Sequence, residues 1–236
     1  MPEGRAGFDS KTDGMDMTHR DHGSSRGQSS RTGTDGGEQY FVARPASPDQ
    51  RRTIQVELAG HTCQVEVSHG VFSSGRLDLG TSVLLKRVPQ PPAEGEFLDL
   101  GCGWGPIALS MAMQSPKANV YAVDTNLRAL DLTSRNAQTQ DLDRVHTLTP
   151  EQVPDDLRFD LIWSNPPIRV GKAALHDLLM TYLPRLKPQG LAYLVVQRNL
   201  GADSLIPWLA DTLGPGWTAE KYASSKGYRI IKVGRA

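Results

Sequence analysis

The stretch that most limits what this chain can fold into runs Phe97-Leu98-Asp99-Leu100-Gly101-Cys102-Gly103-Trp104-Gly105. A short apolar run carries an acid near its end and passes into three glycines at alternate positions. Pro106-Ile107-Ala108-Leu109-Ser110-Met111-Ala112-Met113 follows and reads as a helix, with Pro106 acceptable in its first turn. Strand, glycine turn and helix N-terminus together make a place where backbone approaches a ligand closely. A strand that ends this way ends at the carboxyl edge of a sheet, where open α/β sheets bind their ligands.

The pattern around this stretch repeats as strand and helix in alternation, which predicts an α/β fold with helices on both faces of the sheet. Strands are expected at 96–100, 119–123, 145–148, 159–164 and 190–197. Helices are expected at 106–114, 127–139, 172–183 and 203–213. Two closing strands, near 218–223 and 228–233, are joined by Ser224-Ser225-Lys226-Gly227. A hairpin that tight makes the end of the sheet antiparallel and the whole a mixed, seven-stranded one. Upstream, 53–58 and 62–67 alternate apolar and polar residues around Ala59-Gly60, a β-hairpin too small to stand alone. Thr81 offers an N-cap for a short helix over 82–87. Residues 1–38 are rich in Gly, Ser, Thr, Asp and Arg with almost nothing to bury, so a disordered tail is expected there. The expected organisation is therefore that tail, a hairpin with a pocket-closing loop over 39–80, and the main domain over 81–236.

Composition narrows the class further. With 236 residues and 38% hydrophobic, the chain can bury one substantial core and a small appendage. The 26 Lys and Arg balance the 26 Asp and Glu, but not locally. Residues 91–160 hold 11 acids against 5 bases, and residues 161–236 hold 4 acids against 10 bases, so the second half can present a basic face to an anionic partner. Two cysteines and six histidines show no disulfide framework or metal-ligand spacing, so no metal is expected. No run of about 18 apolar residues predicts a membrane span, and the acidic N-terminus argues against a transit peptide; a reducing cytoplasm is the expected setting.

Two further positions turn the glycine stretch into a candidate site. Asp124 falls just after the second strand of the main domain, where a carboxylate can accept hydrogen bonds from both hydroxyls of a ribose. Its other reading is an N-cap for the helix that begins near Leu127, and the spacing of 23 residues from Gly101 favours the ligand. Ser164-Asn165-Pro166-Pro167 falls at the end of the 159–164 strand. There the Asn165 side-chain carbonyl and the backbone carbonyls of Asn165 and Pro166, stiffened by the two prolines, form a cluster of acceptors. Such a cluster suits a planar amino group. Its nitrogen is a poor nucleophile because the lone pair is delocalised, and carbonyls that accept its N–H bonds orient it as positive charge develops. Gly103, Gly105 and Ala108 can also be written as the dinucleotide pattern G-x-G-x-x-A, and the Asn-Pro-Pro run is what weighs against that alternative.

Together these stretches resemble the class I S-adenosylmethionine-dependent methyltransferases that act on planar amino nitrogens. They are most similar to the small-subunit rRNA guanine-N2 methyltransferase family, whose catalytic unit is the "methyltransferase small" domain. Val71-Phe72-Ser73 with Leu77-Asp78-Leu79-Gly80, the 98–105 stretch, and Phe159-Asp160 leading to Asn165-Pro166-Pro167 occur in the family's order, and the match spans about 71–233. The resemblance implies a Rossmann-like fold and S-adenosylmethionine as cofactor. It implies contacts to that cofactor from Asp99, Gly101, Gly103, Gly105, Asp124 and Thr149. Asn165 and Pro166 are the implied catalytic pair, with Pro167, Ile168, Arg169, Lys172 and Phe72 at the substrate. The implied partner is RNA, either small-subunit rRNA or a ribosomal particle; a homo-oligomer is left open. The sequence departs from the family where an aromatic often follows Asn-Pro-Pro and Ile168 stands here. It departs again at Thr149-Pro150-Glu151, where relatives place an acid or amide for the adenine amino group. A duplicated N-terminal domain found in some relatives is missing, so RNA affinity is expected from the chain's own face, its tail or a second subunit. Methylation of a protein glutamine is the alternative within enzymes, and a non-catalytic RNA-binding scaffold the alternative outside them.

Overall fold

The structure, a computed structural model, describes residues 48–71, 75–167 and 171–236. The expected tail at 1–38 and the candidate residues Phe72, Ile168 and Arg169 lie outside the described residues. Chain order is β1 (Arg51–Leu58), β2 (His61–Ser68), α1 (Leu79–Arg87), β3 (Glu96–Leu100), α2 (Pro106–Gln114), β4 (Asn119–Val123) and α3 (Leu127–Thr139). It continues with β5 (Val145–Leu148), β6 (Phe159–Ser164), α4 (Lys172–Tyr182), β7 (Leu186–Gln197), α5 (Ala202–Leu213), β8 (Trp217–Ser225) and β9 (Tyr228–Arg235).

Strands β3 to β9 form one seven-stranded sheet in the order β5-β4-β3-β6-β7-β9-β8. The pairs from β5 through β7 are parallel, while β9 pairs antiparallel with both β7 and β8. The mixed sheet with an antiparallel end is the Rossmann-like arrangement expected from the alternation of elements. The order reverses between β3 and β6, and the carboxyl ends of adjacent parallel strands diverge there to leave a crevice.

Alternate residues of β3 show how the layers form. Phe97 joins a core cluster with Val83 and Leu84 of α1 and Ile107 and Met111 of α2. Leu98 and Leu100 join the opposite cluster with Leu175 and Leu179 of α4 and Leu205 and Leu209 of α5. Both faces are buried, which is why the central strands read as continuous apolar runs. The β1–β2 hairpin is a separate two-stranded sheet. Its inward face, Leu58, Cys63, Val65 and Val67, packs with Trp104, Leu109, Ala129 and Leu132 in a third cluster outside α2 and α3. A two-stranded hairpin is marginal by itself, and burying each such side chain is worth about 1.5–3 kcal/mol, so this packing holds it.

The structure corrects three boundaries. Asp78, not Thr81, caps α1; its side chain accepts the Thr81 N–H, and the helix begins at Leu79. Strand β7 begins at Leu186 rather than Gly190, because Leu186 already pairs with Phe159. Pro188-Gln189-Gly190 makes an excursion between the Leu186 and Leu191 pairings, with Gln189 at φ 64°. Helix α4 ends at Tyr182, and Leu183–Arg185 tightens into a 3-10 turn around Pro184.

Candidate active site

A cavity of about 490 Å³ opens at the carboxyl ends of β3, β4 and β6. The β3–α2 turn and the end of β4 build one part of its wall. The backbone N–H groups of Gly101 and Cys102 both donate to Val123 O, at 2.8 and 3.1 Å, so the glycine turn hangs from the neighbouring strand. Gly103 at φ 59° and Gly105 at φ 92° take left-handed backbone that other residues enter only at a cost. A Cβ at Gly103 would meet nothing within 4 Å, leaving a cradle open to a ligand, whereas one at Gly105 would lie 2.8 Å from Thr133 Cγ2. The first glycine serves the cavity and the second serves packing.

Asp124 lines this wall together with Gly101, Gly103, Thr125 and Asn126. It does not cap α3. That task belongs to Asn126, whose side chain accepts the N–H groups of Arg128 and Ala129. Asp124 instead accepts the Gly103 N–H at 3.0 Å and the Asn126 N–H at 2.9 Å. Burial raises its pKa, and those backbone bonds only partly counter the rise. A half-compensated carboxylate facing a cavity has acceptor capacity left for ligand hydroxyls.

Asp99 sits behind the turn. It is fully buried, accepts the Ala108 N–H at 2.9 Å, and does not line the cavity; its Oδ1 has no hydrogen-bond partner. Burial lifts its pKa to about 8, eased by the Ala108 bond and reinforced by the charge of Asp124. Thr149 is likewise off the wall. Its N–H is taken by the Gln152 side chain at 2.9 Å in a one-turn capping box, and Pro150 lines the cavity instead. The open glycine cradle and the Asp124 carboxylate form a donor and acceptor set on the cavity wall that fits the adenosyl end of S-adenosylmethionine, with Asp99 bracing the turn from behind.

The facing wall comes from the end of β6, the start of α1 and the start of β9. Ser164 Oγ donates to Leu100 O at 2.6 Å and so ties the end of β6 to the end of β3. Asn165, Pro166 and Pro167 then enter the wall, with Asp78, Gln197, Leu200 and Tyr228 beside them. Asn165 Nδ2 donates to Asp78 Oδ2 at 2.8 Å and to Thr81 Oγ1 at 3.0 Å. A carboxylate only accepts, so the amide nitrogen is the end turned to Asp78, and the carbonyl oxygen takes no part in these two bonds. Gly80 permits this: a Cβ there would lie 2.9 Å from Asp78 Oδ2, 2.9 Å from Tyr228 Cε1 and 3.3 Å from Asn165 Nδ2.

Lys172, the first residue of α4, is exposed and lines a smaller cavity of about 100 Å³ that shares Leu200 with the main one. Asp78, Thr81, Asn126 and Tyr228 were not singled out from sequence as site residues in their own right. Asp78 falls in a family motif, Tyr228 in a hairpin, and Thr81 and Asn126 at helix starts, where the local signal is for capping. Cys102 is buried with Thr133 Oγ1 at 3.6 Å from its sulfur, and burial pushes its thiol well above the usual range. Trp104 is core, 1% exposed. Among the described residues no cluster of three or more His, Cys, Asp or Glu could hold a metal, and no helix is long and apolar enough to cross a membrane.

Residues 62–232 match the methyltransferase small domain. Over 199 residues the chain is 31% identical to the uncharacterized protein YbxB of Bacillus subtilis, covering 83% of this chain and 98% of that one. It is 33% identical over 175 residues to ribosomal RNA small subunit methyltransferase C of Hahella chejuensis, covering 72% of this chain and 50% of that one. It is 31% identical over 157 residues to ribosomal RNA large subunit methyltransferase G of Shewanella amazonensis, covering 61% and 40%. The chain thus spans half or less of the length of these two rRNA methyltransferases. In fold it is similar to the T. thermophilus 16S rRNA N2 G1207 methyltransferase solved with AdoMet and guanosine, with a TM-score of 0.68 and 23% identity over 81% of this chain and 52% of that one. With most of its length inside that domain, and with the glycine turn and Asn-Pro-Pro run on one cavity, the chain belongs to the methyltransferase small domain family of class I S-adenosylmethionine-dependent enzymes.

Proposed function

We propose that this chain methylates an exocyclic base nitrogen in ribosomal RNA, and that the base is guanine, modified at N2, in the small subunit. The observation that carries this reading is the fixed Asn165 amide on the same cavity as Gly103 and Asp124. S-adenosylmethionine supplies an electrophilic methyl group. Asp124 offers acceptors for ribose hydroxyls, and Gly101 and Gly103 let the backbone come close. Asn165 Oδ1, with the backbone carbonyls of Asn165 and Pro166, accepts the hydrogens of the target amino group and stabilises the positive charge that grows on its nitrogen. No strong base is needed, since an N-methylated ammonium-like nitrogen loses its proton readily to solvent. The rRNA methyltransferases among its relatives support RNA as the partner, and the bases concentrated in 161–236 support an anionic one.

Mass mapping of rRNA nucleosides from cells lacking this protein tests the reading. One N2-methylguanosine in small-subunit RNA is expected to vanish and to return with the wild-type chain but not with Asn165→Ala. An unchanged rRNA methylation map overturns it.

A further inference from the structure

We infer that Asp78 reads the target base, selecting a purine that carries an N–H donor beside its amino group. The inference rests on the amino-nitrogen reading above and sharpens it. Asp78 lines the cavity next to Asn165 and is only half-buried. Both hydrogen bonds its carboxylate accepts from described residues, from Thr81 N–H at 3.1 Å and Asn165 Nδ2 at 2.8 Å, end on Oδ2. Oδ1 accepts none from them. One oxygen therefore holds the Asn165 amide, and the other keeps its acceptor capacity for a ligand in the cavity that Asp78 lines.

The chemistry of the base edge matches this division. Guanine presents two adjacent kinds of donor, N1–H and the N2 amino group. Adenine presents an acceptor, N1, beside its amino group. With the Asn165 carbonyl taking an amino hydrogen, the neighbouring Asp78 Oδ1 faces the ring position next to it. An N–H there gains a charge-assisted hydrogen bond, while a lone pair there meets a carboxylate with no proton between them. Rejection of a partner that leaves buried polar groups facing like with like is the strong form of discrimination. Gly80 is part of the device, because a Cβ there would lie 2.9 Å from both Asp78 Oδ2 and Tyr228 Cε1 and would crowd Asn165.

2-Aminopurine riboside tests this directly, since it keeps the C2 amino group of guanosine but replaces N1–H by a lone pair, and it is fluorescent. Its binding to the full chain saturated with S-adenosylhomocysteine is read by fluorescence quenching, with guanosine as competitor. Wild type is expected to hold guanosine about 10–100-fold more tightly, the range for one hydrogen bond to a charged acceptor. Asp78→Asn can keep accepting from Asn165 with its carbonyl while presenting its amide N–H to the base, so the preference is expected to vanish or invert. Melting temperature and S-adenosylhomocysteine affinity, measured beside it, identify a merely structural loss, which would weaken both nucleosides equally. An unchanged preference in Asp78→Asn overturns the inference, as does a wild type that binds both nucleosides equally or neither. Adenosine is run as a second competitor, and a wild type that prefers it to both overturns the guanine reading itself.

Discussion

Asn165 carries the sharpest consequence at the scale of single residues. If its carbonyl stabilises charge that appears only in the transition state, Asn165→Ala loses kcat rather than donor affinity. Loss of one preorganised polar contact costs on the order of 10²–10³ in rate. Single-turnover methyl transfer to rRNA beside calorimetry with S-adenosylmethionine checks this, and a folded, donor-bound variant with near-normal transfer would refute it. Asp124→Ala is expected to do the reverse. It should weaken donor binding by about 1–3 kcal/mol, the range for hydrogen bonds to a buried charged acceptor, while a folded, donor-saturated variant keeps its transfer rate. Asp99 makes stability depend on pH. In the ligand-free fold its carboxyl, raised from 3.8 to about 8, keeps a proton that the unfolded chain has already released. Its contribution to stability is therefore greatest below the unfolded value and is lost as pH rises through the window up to about 8. Thermal melts across that window should fall with pH, and Asp99→Asn should flatten the fall.

Elements explain why residues so far apart in sequence meet. The hairpin is anchored by Asn136 of α3, whose Oδ1 accepts Glu66 N–H at 2.6 Å while its Nδ2 donates to Glu66 O at 3.0 Å and to Trp104 O at 2.9 Å. One buried side chain thus joins β2, α3 and the glycine turn. Asn136→Ala strands three backbone groups and is expected to cost about 2–3 kcal/mol, seen as a lower melting temperature and faster amide exchange in β2. Helix α1 is likewise more than a short connector. Its cap residue, Asp78, and its third residue, Thr81, together set the direction of the amide of Asn165, just past the end of β6. A single element boundary therefore decides the polarity of the candidate catalytic group.

Across the whole molecule, sequence order becomes a separation of charge. Residues 91–160 build β3, β4, β5 and the first two positions of β6 on one side of the sheet, and residues 161–236 build the rest of β6 and β7 to β9 on the other, so the acidic and basic stretches lie apart. Some of the bases are spent internally. Arg229 pairs with Asp203, Lys232 with Glu220 and Lys187 with Asp160. Lys172, Arg198 and Lys226 remain exposed. Replacing these three with alanine is expected to weaken rRNA binding and to reduce its salt slope by about 2–3, near one per phosphate contact, without altering donor affinity. Filter binding over a salt series measures the slope, and an unchanged slope would assign RNA binding to another surface.

The sequence by itself determined the alternation of elements, the glycine turn and the Asn-Pro-Pro run, because each is written in neighbouring residues through periodicity and backbone restriction. It could not tell an N-cap from a ligand contact at Asp124, since Asn126 two residues later competes for the same amides and only the packed helix shows which wins. Nor could it place Asp99 behind the turn rather than on the cavity wall, because burial is decided by what packs on the strand. The bond from Asn165 to Asp78 spans 87 residues. A contact at that separation leaves no period and no local motif, so the direction of the Asn165 amide belongs to the tertiary structure alone.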